Sequence, residues 1–532
     1  MQLHNILDAS RESNGSGVAL RCGDAALSYA ALDDTVTRVS ASLFELGVQP
    51  GTRIALLLPN CLELVIASLA ASKCGCIFVP VNPLQRARQI RHILNDSGAE
   101  LLVTTGYLFD PIANLVKDFD NLRTVVLVDG GNSSFQDSVT CVPWYELLEN
   151  PGPPPKTSIG TDDPAAILYT SGSTGLAKGV VLSHANMVSG ARIVSGYLGN
   201  TAADRILAAL PLSFDYGFSQ VTTSLYVGAE VVLTNYSMPQ KLLLELTDHK
   251  ITGLAGVPTM WAQLSMVRWP IECAERIRYI TNSGGRLPGK IIADLSDRIP
   301  QARIFLMYGL TEAFRSTYLD PEEIHRRPDS IGKAIPEVTI HVIRDDGVEC
   351  LPREQGELVH SGALVSLGYW RDDNATALRF RSLPASIGNC DNKGLAVWSG
   401  DTVWKDEEGF IYFVGRSDSM IKASGYRISP SEIEDVLYAS GLVEQAAIVG
   451  IPDQIAGQRV AIAVVPSSID QDIDFAIRHI CARELPPYMQ PSEIRYVHSL
   501  PLTANGKPDR SAIEQLFGDP KTDSVNDIIE PA

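Results

Sequence analysis

The sequence predicts an α/β protein, with a large N-terminal unit of parallel sheets and crossover helices followed by a small α+β unit. Three observations carry this. Apolar strand-like runs alternate with helical patterns from the N-terminus to about residue 310. After about residue 350 the texture changes to short strands with turn signals, as in EGELVHSG and GFIYFVGRSD. A fresh helix, SPSEIEDVLYAS at 429–440, then opens a last stretch of about a hundred residues. Alternating strands and helices imply parallel sheets with right-handed crossovers.

The elements follow in order. Residues 31–47 carry apolar positions at helical spacing. Ile54 to Leu58 reads as a strand broken by Pro59-Asn60, and Leu62 to Ala71 as a buried helix. Cys76 to Val81 is a second strand, ended by Asn82-Pro83, and 101–104 and 124–128 are two more. NPGPPPKT at 150–157 is a proline-rich surface connector. Strands follow at 166–170, 205–210, 228–233, 253–257, 277–282 and 303–307. In the helix at 429–440, Ser429 or Ser431 is placed to cap, with Glu432 or Glu434 three residues on. These readings set domains at 1–417 and 418–517, with a loose acidic tail at 518–532.

Composition narrows the function classes. The chain has 532 residues, 45% of them hydrophobic, with 44 Lys and Arg against 62 Asp and Glu, a net charge of −18. Such an acidic surface argues against nucleic acid or an anionic membrane as the main partner. No apolar run approaches the roughly 20 residues of a membrane span. The N-terminus lacks the basic start and apolar middle of a signal peptide. The nine cysteines are scattered, and only Cys74 and Cys76 lie close. Buried, reduced thiols in a cytoplasmic protein are expected, and no metal–thiolate site.

One loop carries chemistry. LYTSGSTGLAKG (168–179) follows an apolar strand and packs hydroxyls, glycines and one lysine into a few positions. In the P-loop pattern G-x-x-x-x-G-K-[ST], Gly172 and Lys178 are correctly spaced, but Ala177 replaces the second glycine and Gly179 replaces the Ser/Thr. The stretch is therefore not a Walker loop. It is either an anion cradle of backbone N–H groups and hydroxyls or a plain Ser/Gly surface loop.

The segment resembles the phosphate-binding loop of the adenylate-forming superfamily of acyl-CoA synthetases, nonribosomal adenylation domains and luciferases. Five further stretches resemble that family's motifs in order: NSGGRLP (282–288), MYGLTEAF (307–314), WSGD (398–401), GRSDSMIKASGYRISPSEIE (415–434) and LTANGKPDR (502–510). The resemblance implies a large domain ending in a distorted β-barrel and a mobile C-terminal lid. It implies ATP and Mg²⁺ as cofactors, an acyl-adenylate intermediate and a thiol acceptor.

It also implies roles. Thr170, Ser171, Gly172, Ser173, Thr174 and Gly175 would cradle the β- and γ-phosphates, with Lys178 closing the loop. Gly284 and Gly285 would lie beside adenine and Tyr308 would stack on it. Thr311 would touch the α-phosphate, Glu312 would hold Mg²⁺, and Asp401 and Arg416 would bind the ribose. Lys507 would reach the reacting carboxylate, Asp418 would be the hinge, and Gly425 would let a pantetheine arm pass. Coenzyme A and a carrier protein present the same arm, so the acceptor stays open.

For the acid, PLSFDYGFSQ (211–220) lies where the family lines its acyl pocket, with Phe214, Asp215 and Tyr216. A carboxylate there needs a partner. In amino-acid-activating relatives the matching Asp pairs with the substrate ammonium, which points to a small, proline-like amino acid. Alternatively Asp215 caps the following helix or pairs with a protein group, and the acid is a non-amino one made into an acyl-CoA. Arg286 follows the glycine pair, where the family has a small residue. It either narrows the pocket against a long fatty acid, binds a polar substrate end, or points into solvent.

Overall fold

The structure, a computed structural model, describes residues 1–130, 139–149, 152, 157–170, 176–387, 394–416 (416 by its backbone), 420–468, 472–501 and 508–518. The connector at 150–157 falls almost wholly outside these residues, as do Asp418 and the tail from 519 onward.

Three sheets organise the chain. The first has seven strands, in the order Thr140–Pro143, Thr124–Leu127, Leu101–Thr104, Arg53–Leu57, Ile77–Val81, Pro164–Thr170 and Lys178–Ser183. All its pairs are parallel except the last, which the loop at 171–177 joins as an antiparallel pair. The second sheet has a parallel half: Arg303–Tyr308, Tyr279–Asn282, Gly253–Gly256, Arg205–Ala208, Glu230–Leu233 and Val18–Cys22. Val18–Cys22 joins it from the far N-terminus, beside Glu230–Leu233. The antiparallel strands expected as a distorted barrel continue the ladder of this sheet from Thr317–Leu319 to Val338–Ile343. They enclose a small core of Ile340, Val342, Leu358, Val403 and Ile411.

The largest core lies between the first two sheets. It joins Leu56 and Phe78 of the first to Leu20 and Val231 of the second. Helix Leu62–Lys73 runs through it with every residue from Leu64 to Ser72 buried, which explains why that stretch is apolar but for Ser68 and Ser72. One side chain pins the two sheets together at the cleft. Asn60, just past strand Arg53–Leu57, donates from Nδ2 to the carbonyls of Ala208, Leu210 and Thr234. Its Oδ1 accepts from the N–H of Leu212 at 3.1 Å, and its backbone pairs with the side chain of Asn235.

The third sheet belongs to the C-terminal unit: Tyr426–Ile428, Ile421–Ala423, Gly457–Pro466 and Val443–Asp453, with Glu493–Tyr496 parallel on Gly457–Pro466. Helices Pro430–Ser440 and Ile473–Glu484 cover one face, and Leu500 and Ile513 pack on the other. The expected cap of helix Pro430–Ser440 does not form. Ser429 holds the N-cap position without a side-chain bond, and the Glu432 carboxylate, which would complete the box, accepts from Gln89 instead. Eight cysteines are described; all are free thiols, five of them buried. Among the described residues no helix is long and apolar enough to cross a membrane.

Candidate active site

A cavity of about 740 Å³ opens where strands of both large sheets end. Its wall includes Leu58, Asn82, Thr170, Leu210, Val257, Gly284 and Gly309, each at or just past the C-terminal end of a strand. Open parallel sheets place ligands at this edge. The C-terminal unit closes the cavity with its hairpin 421–428 and with Tyr488.

The turn after strand Arg303–Tyr308 sets the chemistry. Thr311–Ala313 is a single 3₁₀ turn, and Phe314 follows in a left-handed conformation, φ +55°. That strained residue is seated by a helix on the other side. A Cβ at Gly190 would lie 2.4 Å from the Phe314 ring, so only glycine admits it. The turn presents Thr311 and Glu312 to the cavity. Glu312 is 2% exposed, accepts a 2.6 Å hydrogen bond from the Tyr369 hydroxyl, and has Arg427 Nη1 at 4.0 Å. Burial alone drives its carboxyl upward, but Arg427, Arg379 and the Tyr369 hydroxyl outweigh it and hold the group below its ordinary value. The side chain is thus an anion at neutral pH.

Asp401 is buried on the cavity wall and accepts a 2.5 Å hydrogen bond from Tyr308. Tyr308 lies beneath Asp401 and is not part of the lining; its hydroxyl orients that carboxylate. Arg416 is opposite Asp401 in the strand register. Gly284 lines the cavity, whereas Gly285 packs against Pro258. Thr170 reaches the wall, but Ser171 to Gly175 lie outside the described residues. At the loop's far end His92 donates from Nε2 to the carbonyl of Ala177, 2.7 Å away. Lys178 binds Asp372 at 3.0 Å and lies over the Tyr369 ring, anchoring the base of the loop. Lys507 also lies outside the described residues.

At the acid end, Phe214, Asp215 and Tyr216 all line the cavity. Asp215 is not waiting for a partner: Arg315 Nη1 lies 2.6 Å from its Oδ2. Of the two partners expected for this carboxylate, a substrate ammonium or a protein group, the structure supplies the protein group. Arg286 takes the solvent alternative. It is exposed, pairs with Asp329, and is not among the lining residues.

The lid hairpin enters the cavity by its backbone. Gly425 has φ +83°, and a Cβ there would lie 2.8 Å from Val257 Cγ1. Tyr426 stacks on Tyr488 at 3.7 Å and meets Phe214 edge-on at 5.3 Å. Gln85 donates to the Tyr488 hydroxyl at 3.2 Å, and Gln89 to Glu432 at 3.0 Å. Nothing local in the sequence points to Tyr369 or to these docking contacts. Arg315, also missed, had a nearby signal, since it directly follows TEAF.

A divalent cation fits Glu312 in kind: it is a hard oxygen donor held ionised at the cavity wall. Among the described residues no group of three His, Cys, Asp or Glu side chains is placed to hold a metal alone. The fit is that of an ion carried largely by a ligand's own oxygens.

Comparison with known proteins gives a consistent match. The AMP-binding enzyme family matches residues 7–370, and the AMP-binding enzyme C-terminal domain matches 432–507. Feruloyl-CoA synthase of Amycolatopsis sp is 30% identical over 94% of this chain and 96% of its own length. The L-proline–[L-prolyl-carrier protein] ligase of Pseudomonas fluorescens is 30% identical over 92% of this chain and 94% of its own. A linear gramicidin synthase of Brevibacillus parabrevis is 29% identical over 96% of this chain, which spans 6% of that far longer protein. Among solved structures, o-succinylbenzoate CoA synthetase of Bacillus subtilis aligns with a TM-score of 0.82 at 26% identity, covering 96% of this chain and 98% of that one. With more than half its length matched by that family's model, the chain belongs to the AMP-binding enzyme family.

Proposed function

We propose that this protein is an AMP-forming ligase that joins a carboxylic acid to a thiol in two steps in this one cavity. In the first step the acid's carboxylate oxygen attacks the α-phosphorus of ATP. The acyl–O–P bond forms, the bond to the bridging oxygen breaks, and pyrophosphate leaves. In the second, the thiol sulfur attacks the acyl carbon, AMP departs with the C–O electron pair, and the thiol proton is released. The reaction is between anions, so the protein's task is positioning and charge cancellation.

The observation that carries the reading is the convergence of Thr170, Thr311, Glu312, Asp401 and the Gly425 hairpin on one cavity. We assign Thr170 to Gly175 to the β- and γ-phosphates, with Lys178 closing the loop, and Thr311 to the α-phosphate. Asp401 and Arg416 go to the ribose and Gly284 to the adenine side, with Tyr308 orienting Asp401 from behind. Lys507 is assigned to the reacting carboxylate. Glu312 would hold Mg²⁺, which when bound neutralises phosphate charge. The lid, residues 418–517, would turn about Asp418 between presenting Lys507 and presenting Gly425. A cytoplasmic location suits free thiols.

Two acid classes compete. A small, proline-like amino acid loaded onto the phosphopantetheine of a carrier protein is supported by Asp215 on the wall and by the similarity to a prolyl-carrier ligase. A non-amino acid passed to coenzyme A is favoured by one specific observation, the pairing of Asp215 with Arg315, and by the similarity to feruloyl-CoA synthase. The test is acid-dependent ATP–pyrophosphate exchange over amino, short, aryl and long-chain acids, followed by thioester formation with coenzyme A or carrier protein. Exchange with at least one acid is expected; silence with every acid overturns the ligase reading.

A further inference from the structure

Arg315 is among the largest fully buried side chains of the protein, 2% exposed, yet it stands at the acid end of the cavity. Its Nη1 donates to Asp215 Oδ2 and to the carbonyl of Phe314, both at 2.6 Å. The guanidinium carbon lies 4.7 Å from the centre of the Tyr216 ring. Among the described residues Nε and Nη2 have no hydrogen-bond partner, and both are shut off from the cavity. Asp215 is the reverse case. Its side chain keeps 15% exposure on the cavity wall, with Oδ1 3.4 Å from Thr311 Oγ1.

A buried guanidinium with three unused N–H bonds is costly unless an anion is fixed against it. Arg315 therefore demands an ionised Asp215. Asp215 also stands in the first turn of helix Asp215–Val227, whose positive end favours an anion. The carboxylate is thus charge-matched before any ligand enters. An ammonium brought to its exposed oxygen would meet a pair of near-zero net charge and be repelled by the guanidinium behind it. A neutral donor escapes that repulsion and still gains a charge-assisted hydrogen bond from Oδ1.

We propose that Arg315 is a specificity-determining residue of the acid pocket: by closing an ion pair with Asp215 it selects an acid that is uncharged beside its carboxyl group and donates a hydrogen bond from a hydroxyl or amide N–H, over one carrying a free ammonium. This rests on reading the cavity as the site of acid activation. Arg315 acts through Asp215 and is a positioning residue.

The test uses the full chain and matched acids that differ only in that group: alanine against lactic acid, valine against 2-hydroxyisovaleric acid, phenylalanine against 3-phenyllactic acid, and 2-amino- against 2-hydroxyoctanoic acid. Pyrophosphate exchange gives kcat/KM for each member. The hydroxy acid of the best pair should lead by about tenfold or more. Arg315→Gln should shift that ratio toward the amino acid by about tenfold; a purely structural role would lower both members and leave the ratio alone. Asp215→Asn/Arg315→Gln removes both charges without stranding either, and the hydroxy acid should still lead. A parent enzyme that prefers the amino acid overturns the proposal, as does an unchanged ratio in Arg315→Gln or, should that variant not fold, an amino-acid preference in the double variant. Exchange driven only by unsubstituted acids such as benzoic or octanoic acid overturns it too. All four results leave the ligase reading standing, whereas silence with every acid removes that reading itself.

Discussion

Replacing Gly425 with alanine isolates the role of the lid hairpin, because two costs of the change behave differently. The first is conformational. Gly425 has φ +83°, and a left-handed alanine costs about 1 kcal/mol over glycine. That cost belongs to the hairpin itself and is the same wherever the lid sits. The second is steric. The new methyl would stand 2.8 Å from Val257 Cγ1 and 3.1 Å from Val257 Cβ. Val257 belongs to the large domain, so this overlap exists only with the lid docked as described. Forcing a methyl into a packed contact costs about 1–3 kcal/mol, which moves the docked population by about 5- to 150-fold. Single-turnover transfer of a supplied acyl-adenylate to the thiol should therefore fall by that factor, while pyrophosphate exchange stays near its parent rate. Transfer that keeps pace with the parent, or an equal fall in both half-reactions, would refute the argument.

Three further outcomes are expected. Lys507→Ala should cost about 3 kcal/mol or more in adenylation while a supplied adenylate still reacts with the thiol; equal loss of both halves contradicts the turning lid. Tyr369→Phe removes the 2.6 Å hydrogen bond that orients Glu312, and should raise the Mg²⁺ concentration for half-maximal exchange by about 10- to 100-fold; an unchanged Mg²⁺ curve would rule out Glu312 as the ligand. Glu432 is held above its ordinary value of 4.5, chiefly by burial where the lid docks on Gln89. A raised carboxyl contributes stability below its unfolded value that is lost as pH rises through the folded one. Glu432→Gln should therefore flatten the fall of the melting temperature as pH rises above 4.5, and a slope equal to the parent's would show that the group does not titrate there.

The strands were legible because short apolar runs ended at Pro, Gly and Asn. The expected strand at 101–104 matches to the residue, and Arg53–Leu57 and Ile77–Val81 match within one. The order of the sheets was not legible, since nothing local tells Val18–Cys22 to pair with strand Glu230–Leu233, Leu20 lying opposite Val231. The same split holds in the site. Thr311, Glu312, Asp401 and Gly425 were found because their motifs are contiguous, and they do share a cavity. What their side chains do depends on distant partners: Asp215 on Arg315, Tyr308 on Asp401, and Glu432 on Gln89, 343 positions apart. The glutamate half of the box predicted from Ser429 and Glu432 fails for that reason, because a tertiary bond claims Glu432.

The carboxamide of Asn60 has a bearing on how this pocket can be reshaped. It clasps three carbonyls from Ala208, Leu210 and Thr234 while receiving one amide hydrogen from Leu212. Only an amide offers that mixture; aspartate would face three like-signed dipoles and leucine would strand them all. The floor is accordingly riveted, and its width is not free to vary. Room for a bulkier acid has to be made at the outer rim, where Tyr236 and Gln263 share a side-chain bond across the mouth. Library design aimed at new substrates is best spent on those two positions, with residue 60 left untouched.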